Sequence, residues 1–300
     1  MAQFGTRSAP GQGSRDESAA GAPARSQGVR PRGHSVASAP HGGGGAARLA
    51  YLRDLMTELV RRDLSLRYKR SVLGLAWSLL TPLTQLLVLR FVFTVVLPLE
   101  IPNYTAFLFT GILVWSWLAS ALDQAAGSIV DNRELVRLAG FPVAVLPAVT
   151  VAANLTQFVF ALPILALFLW LGGGVPLSAA PLLLPVLVAL QFLFILSGAY
   201  FVAALHVTFR DVKHLLGIGL TLGFYLTPVF YEASQAPDRY AALYRFNPMR
   251  HLIGAYRDIL LHARLPDPVP LAGVALGSIV LLVLGYRLFA RASSHFVDEL

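Results

Sequence analysis

The chain predicts an all-α membrane protein, with six transmembrane helices preceded by an amphipathic helix lying in the membrane interface. Three observations carry this. Of the 300 residues, 56% are hydrophobic and only 13% charged, a balance that soluble domains do not reach. The apolar residues fall in runs of roughly 20, the length that crosses about 30 Å of hydrocarbon. The formal charge of +8 is gathered at one end: residues 1–70 hold 12 Lys and Arg against 5 Asp and Glu.

Residues 1–46 are rich in Gly, Ala, Ser, Pro and Arg and nearly empty of large apolar side chains. Such a segment cannot bury enough surface to offset chain entropy, so it is expected to be a disordered basic tail. A basic tail can signal nucleic acid, but the anionic cytoplasmic leaflet accounts for it more simply, and no nucleic-acid partner is expected. No secretory signal is visible in it. The folded, membrane-spanning unit then runs from residue 47 to 300. Its first element carries Leu49, Leu52, Leu55, Met56, Leu59 and Val60 at helical spacing, with Arg53, Asp54, Glu58 and Arg61 elsewhere. That pattern fits a helix lying in the interface. The cations Arg61, Arg62, Arg67, Lys69 and Arg70 follow, just ahead of an uncharged stretch, Val72–Leu89.

Six spans are expected: Val72–Leu97, Tyr104–Ala126, Val143–Leu171, Leu182–Val207, Leu215–Tyr231 and Val269–Leu288. Cations flanking short loops mark the cytoplasmic side. With the N-terminus inside, the connections at Arg133 and Arg137 and at Arg210 and Lys213 are cytoplasmic, as is the C-terminal end with Arg287 and Arg291. The first two outside loops, Pro98–Asn103 and Gly172–Ala180, hold no cation. The third, Glu232–Pro268, breaks the pattern with Arg239, Arg245, Arg250, Arg257 and Arg264, nearly balanced by Glu232, Asp238, Asp258 and Asp267. Both termini are therefore expected in the cytoplasm.

Several functions are excluded. The only lysines are Lys69 and Lys213, and neither lies in a Gly-x-x-x-x-Gly-Lys-Ser/Thr loop, so the chain is not a P-loop ATPase. There is no cysteine, the seven histidines lack metal-ligand spacing, and no catalytic constellation stands at a credible spacing. Neither a metal nor another cofactor is expected, nor enzymatic activity.

The order of residues in RRDLSLRYKRSVLGLAWSLLTPL is more specific. Arg62-Asp63-Leu64, Arg67-Tyr68-Lys69, Ser71-Val72-Leu73-Gly74, Trp77 and Pro82 together resemble the opening of the membrane subunits of ABC exporters for surface polysaccharides, the O-antigen, capsule and teichoic-acid group. Phe141-Pro142, Leu146-Pro147, Phe209-Arg210-Asp211, Thr227-Pro228, Phe246-Asn247-Pro248-Met249 and Tyr256-Arg257 are similar to later motifs of the same group. The resemblance covers roughly Leu59–Leu261. It implies a homodimer with two copies of a separate P-loop ATPase, moving lipid-linked polysaccharide across the cytoplasmic (inner) membrane. Asn132, Arg133, Glu134, Leu135, Val136, Arg137 and Leu138 would form a coupling helix docking into the ATPase. Asp131 or Asn132 would cap it, Gly140 and Pro142 would end it, and it would present Leu135, Val136 and Leu138. Val143-Ala144 stand where the group usually has a charged pair, and the plain alternative is an ordinary interfacial loop. Arg61, Arg62, Asp63, Arg67, Tyr68 and Lys69 would belong to the interfacial helix that also receives the ATPase stroke. The segment with Asn247, Pro248, Tyr256 and Arg257 would form short re-entrant helices closing the pore, with Leu252, Ile253, Ile259 and Leu260 on its apolar face.

The remaining pore candidates are Trp115, Phe224, Tyr225, Pro228, Tyr231 and Arg90. Rings suit the apolar faces of sugars, but they also form the interfacial belts of membrane proteins. Tyr104 and Phe107 are assigned to the belt. Arg90, about two-thirds along the first span, either snorkels to headgroups or lines the pore. Asp123 is likewise an interfacial or a pore acid. An exporter of drugs or lipids is the rival in the same superfamily. A membrane-embedded enzyme on isoprenoid-linked sugars, or a non-transporting scaffold, is the rival from outside it.

Overall fold

A computed structural model describes residues 45–69, 76–173, 178–235, 238–293 and 296. Of the tail expected to be disordered, residues 1–44 lie outside them, whereas Gly45 and Ala46 are helical. The Arg70 and Ser71–Gly74 motif residues and the start of the first span at Val72 also lie outside, as does the side chain of Tyr68. Among the described residues the fold is helical without strands. Five helices are long and apolar enough to cross a membrane: α2 (Ala76–Phe91, extended by a π-helical turn to Val96), α3 (Tyr104–Gly127), α5 (Val145–Leu171), α6 (Leu184–Thr208, preceded by a 3-10 turn from Ala180) and α10 (Pro268–Ala292). The helix α1 (Gly45–Tyr68) precedes them. A short helix, α4 (Arg133–Val136), connects α3 to α5. The sixth apolar helix, α7 (Val212–Leu226), has 15 residues, and α8 (Ala241–Phe246) and α9 (Pro248–Leu260) follow it.

The centre of the bundle is α3, which packs on α2, α5, α6, α7 and α9. It is almost wholly buried, whereas α2 and α10 leave most of their apolar surface open. The most extensive pairing joins α6 and α10. It depends on Gly285, where a Cβ would stand 2.8 Å from the Phe201 ring and 3.1 Å from the Ser197 carbonyl. Small residues let helix backbones approach closely when no water-driven force holds them together. Midway along α3, the Trp117 ring stacks on Phe158 of α5 at 5.0 Å, and Phe158 meets Tyr256 of α9 edge-on at 6.0 Å. The helix α9 therefore reaches the middle of the bundle.

Two clusters of loops define the ends. At the near end, Ile129 and Val136 of the α3–α5 connection and Leu146 of α5 pack with Tyr200 and Val207 of α6 and with Phe289 and Phe296 at the close of the chain. At the far end the Asn103 side chain abuts Gly172, the Tyr104 hydroxyl donates to the Phe230 carbonyl at 2.9 Å, and α9 packs on the turn at Ala180–Leu183. The connections expected inside thus share one end, and those expected outside share the other.

The fifth expected span ends earlier than the pattern indicates. Pro228 has no N–H to donate, and the residue before proline is pushed out of the helical region. Thr227 accordingly sits at φ −93°, ψ 141°, and Leu215–Tyr231 becomes a helix to Leu226 with an irregular tail.

Candidate functional site

A cleft of about 480 Å³ opens among α2, α3, α5 and α7. Its walls mix hydroxyls and amides (Ser78, Thr81, Gln85, Ser116, Ser120, Asn154, Gln157, Thr221) with the rings of Trp115, Trp117, Phe158, Phe224 and Tyr225. The hydroxyls sit in apolar helices at little cost, because serine and threonine can bond to the carbonyl one turn back. Thr221 does so to Gly217 at 2.9 Å, and Thr84, just outside, to Leu80 at 2.8 Å. Asn154 donates to Gln124 Oε1 at 2.8 Å and to the Thr150 carbonyl at 2.9 Å, while its own Oδ1 is buried with no partner. Trp115 packs edge-on against Phe224 at 6.0 Å and fits only because residue 223 is glycine, whose added Cβ would lie 2.9 Å from the ring.

The cleft does not stand alone. Thr81, Gln85, Phe224 and Tyr225 also line a groove with Trp77 and Thr84. Thr221 also lines a groove reaching Asp123, Lys213 and His214 toward the near end. A polar track therefore runs beside α7, from the charges at its start to the aromatic cluster at its end. Phe224, Tyr225, Phe230 and Tyr231 form that cluster, with neighbouring ring centroids 5.0 to 6.2 Å apart.

Where α7 breaks, its freed carbonyls must find donors, since no water enters an apolar bundle freely. Each of those at 225–230 has a donor within reach, with the carbonyls of Tyr225 and Leu226 sharing one hydroxyl. The Tyr231 hydroxyl lies 3.4 and 3.3 Å from the carbonyls of Tyr225 and Leu226. The Val229 N–H donates to the Thr227 carbonyl at 2.7 Å. Arg257 donates from Nη1 to the Pro228 carbonyl at 2.8 Å and from Nη2 to the Val229 carbonyl at 2.6 Å. The Phe230 carbonyl is taken by Tyr104. Arg257 is only 6% exposed. It has a third carbonyl, that of Phe107, at 3.3 Å, and its guanidinium lies 3.4 Å above the Phe107 ring. A cation over a ring face is held by the ring quadrupole, most strongly when desolvated.

Asn247 completes the tie. As N-cap of α9, its Oδ1 accepts from the N–H groups of Met249 and Arg250 at 3.0 and 3.3 Å, and its Nδ2 donates to the Thr227 hydroxyl at 2.9 Å. Pro248 occupies the first helical position, where a missing N–H costs nothing. Tyr231 and Tyr244 share a hydroxyl bond of 2.8 Å. Gly111 of α3 lies beneath this knot: a Cβ there would stand 2.6 Å from the Val229 carbonyl oxygen and 2.9 Å from Arg257 Nη2.

At the near end the α3–α5 connection differs from its expected display. Val136 is buried at 5% exposure and Leu135 is half-buried, both packed on the chain's own core. Leu138 stays exposed with Arg133, Glu134 and Arg137. The correction has a simple cause. A helix of four residues held between α3 and α5 must turn its apolar side inward to close the bundle. Asn132 does not cap it with its side chain but donates from Nδ2 to the Ser128 carbonyl at 3.0 Å. The helix closes at Val136, short of the expected stop at Gly140 and Pro142. Gly140, at φ 79°, belongs instead to the turn that Phe141 closes by donating to the Leu138 carbonyl at 3.2 Å. On α1, residues 51, 52, 55, 56, 59, 60, 63 and 64 are half-buried and those between are exposed, and the helix lies against α5. Arg61 and Arg62 are exposed, as is Lys69, and Arg67 pairs with Asp63 at 2.6 Å.

Trp115, Phe224 and Tyr225 thus meet in the cleft, and Pro228, Tyr231, Asn247, Pro248 and Arg257 meet in the knot. Tyr256 lies in the core against Phe158. Arg90 joins neither group: it lines another groove, with Phe168 and Thr105. Sequence reading missed the cleft's polar residues, although a signal was there: Ser78, Thr81 and Gln85, Ser116 and Ser120, and Asn154 and Gln157 stand three or four apart in otherwise apolar runs. Nothing in the sequence marked Gly111 or the second partner of Asn247.

Residues 55–261 match the family model described as ABC-2 type transporter. An O-antigen export system permease protein, RfbA, of Myxococcus xanthus is 38% identical over 250 residues, covering 83% of this chain and 96% of the relative. A protein of the same name in Klebsiella pneumoniae is 29% identical over 84% and 97%. A polysialic acid transport protein, KpsM, of Escherichia coli is 23% identical over 77% and 90%. With a family match spanning most of the described bundle and relatives aligned over nearly their whole length, the chain belongs to the ABC-2 type transporter family and is a multi-pass membrane protein.

Proposed function

We propose that this chain is the transmembrane subunit of an ATP-driven exporter that moves lipid-linked polysaccharide across the cytoplasmic membrane, as a homodimer working with two copies of a separate P-loop ATPase. The observation that carries the reading is the cleft. Hydroxyls, amides and rings lining a groove inside membrane-spanning helices suit a hydrated glycan, whose hydroxyls bond to such groups and whose C–H faces pack on rings. They suit lipid tails poorly, because unpaired polar groups are costly in hydrocarbon. The names of the relatives point to the same substrate class.

In this reading α7 and its irregular tail together make the sixth crossing. The helices α8 and α9 are re-entrant from the outer face, and the knot at Arg257 and Asn247 ties them to the broken end of α7. The burial of Leu252, Ile253, Tyr256 and Ile259 supports this. Tyr231 and Pro228 then stand at the outer mouth, with Trp115, Phe224 and Tyr225 along the path. The near end faces the cytoplasm with both termini, in keeping with its cations. There, Arg133, Glu134, Arg137 and Leu138 form the exposed surface for the ATPase. Asn132, Leu135 and Val136 hold that surface from behind. The helix α1, with Arg61, Arg62, Asp63, Arg67, Tyr68 and Lys69, lies in the interface beside it.

The test is reconstitution. The chain and a partner P-loop ATPase, in liposomes loaded with lipid-linked glycan, are expected to deliver glycan across the bilayer only with ATP. Hydrolysis of ATP by this chain alone, or glycan transfer without nucleotide, would overturn the proposal.

A further inference from the structure

We infer that the groove around Arg90 is a binding site for an anionic membrane lipid, its phosphate on the guanidinium and one acyl chain along α2. The groove encloses about 560 Å³. Leu83, Leu87, Phe91 and Phe168 make its walls, and Thr94 and Thr105 line it together with the cation. It lies on a different side of α2 from the polar cleft, whose α2 residues include Ser78, Pro82 and Gln85. A substrate held in that cleft is therefore not the partner of Arg90.

Three observations identify the occupant. Arg90 is exposed, and among the described residues no carboxylate pairs with it. It lies six residues before Val96, where the helix closes, which at 1.5 Å per residue is about 9 Å below the end of the span. An arginine side chain covers most of that distance, so the stem lies in the apolar groove while the charge meets the headgroup layer. The third observation is the π-helical turn Val92–Val96, which departs from α-helical spacing directly after Arg90. Thr94 spends its hydroxyl proton on the Arg90 carbonyl at 2.7 Å. Its lone pairs cannot neutralise a guanidinium, so the compensating negative charge comes from outside the chain. At this depth and on this face, a lipid phosphate is the anion in reach, and the apolar walls receive its hydrocarbon. This site is independent of what the cleft carries.

Native mass spectrometry of the detergent-released protein, titrated with phosphatidylglycerol or phosphatidylcholine, tests it. The wild-type chain is expected to retain phosphatidylglycerol over phosphatidylcholine by about fivefold, the preference one interfacial cation supplies. Arg90→Leu is expected to abolish that preference, and Arg90→Lys to keep it within twofold. Equal retention of both lipids by the wild type, or an unchanged preference in Arg90→Leu, would overturn the inference. So would disulfide cross-linking of Phe91→Cys between two copies in membranes, because a second chain would then fill the groove. The chain has no cysteine of its own, so such a cross-link has one origin.

Discussion

Three carbonyls, from Phe107, Pro228 and Val229, converge on the Arg257 guanidinium, and no carboxylate is among its hydrogen-bond partners. Removing the side chain leaves those acceptors buried with nothing to accept from. Each unsatisfied group costs about 1–3 kcal/mol, so Arg257→Ala is expected to lose roughly 3 kcal/mol or more. The loss would be measured as a lowered unfolding midpoint in detergent. Arg257→Lys should recover less than half, because an ammonium cannot present a planar fork to oxygens on two elements while lying flat on Phe107. Gly111→Ala probes the same knot from beneath. Its Cβ would press on a carbonyl and a guanidinium that are both fixed, and overpacking of this kind costs about 1–3 kcal/mol. Sequence reading found Arg257 as a motif member and marked it as a pore cation candidate. Its partners lie 28, 29 and 150 positions away, a distance at which no local pattern speaks. Tyr104 and Phe107 were read as belt aromatics for the same reason.

The helices show which signals are local and which are not. Apolar length alone marked α2, α3, α5, α6 and α10, because each is a continuous run that hydrocarbon tolerates without help from its neighbours. The end of α7 was misjudged by five residues. The run stays apolar through Tyr231, and only the backbone consequence of Pro228 shortens it. The α3–α5 connection was read as a helix offering Val136 to a partner, yet periodicity cannot tell an apolar side turned toward a second protein from one turned toward its own core. At α9 a local start signal went unread: Asn247 before Pro248 is a cap followed by a first-turn proline. That cap also gives a test with separable parts. Asn247→Asp retains the acceptor for the N–H groups of Met249 and Arg250 but loses the donor to Thr227. Asn247→Ala loses both. The alanine variant is expected to cost about 1–2 kcal/mol and the aspartate variant about half of that. Hydrogen exchange at the first turn of α9 checks the ordering, since the alanine variant should expose Met249 and Arg250 amides and the aspartate variant should not.

Across the bundle, the two ends are set by packing that charge asymmetry only hinted at. Ile129, Val136, Tyr200, Val207, Phe289 and Phe296 share one apolar cluster, so the α3–α5 connection and the end of α10 cannot face opposite sides of a membrane. A cysteine placed at Arg137, Arg210 or Arg287 should therefore react with a membrane-impermeant reagent from the same side. One at Glu100 or Arg264 should react from the other. The cleft makes a second, independent demand. Its polar walls are a liability in lipid unless water, substrate or a second copy covers them, whereas α10 turns Leu276, Val280 and Leu284 outward with no polar neighbour among them. Single cysteines at Ser120, Gln85 and Thr221 should then be modified by a hydrophilic thiol reagent in membranes, and cysteines at Leu276 and Val280 should resist it by at least tenfold in rate. If bound glycan fills the track, adding lipid-linked polysaccharide without ATP should protect the cleft positions and leave the loop positions reactive. Protection that appeared equally with lipid carrier lacking a glycan would assign the cleft to the lipid instead, and the hydroxyls, amides and rings that line it would then need another explanation.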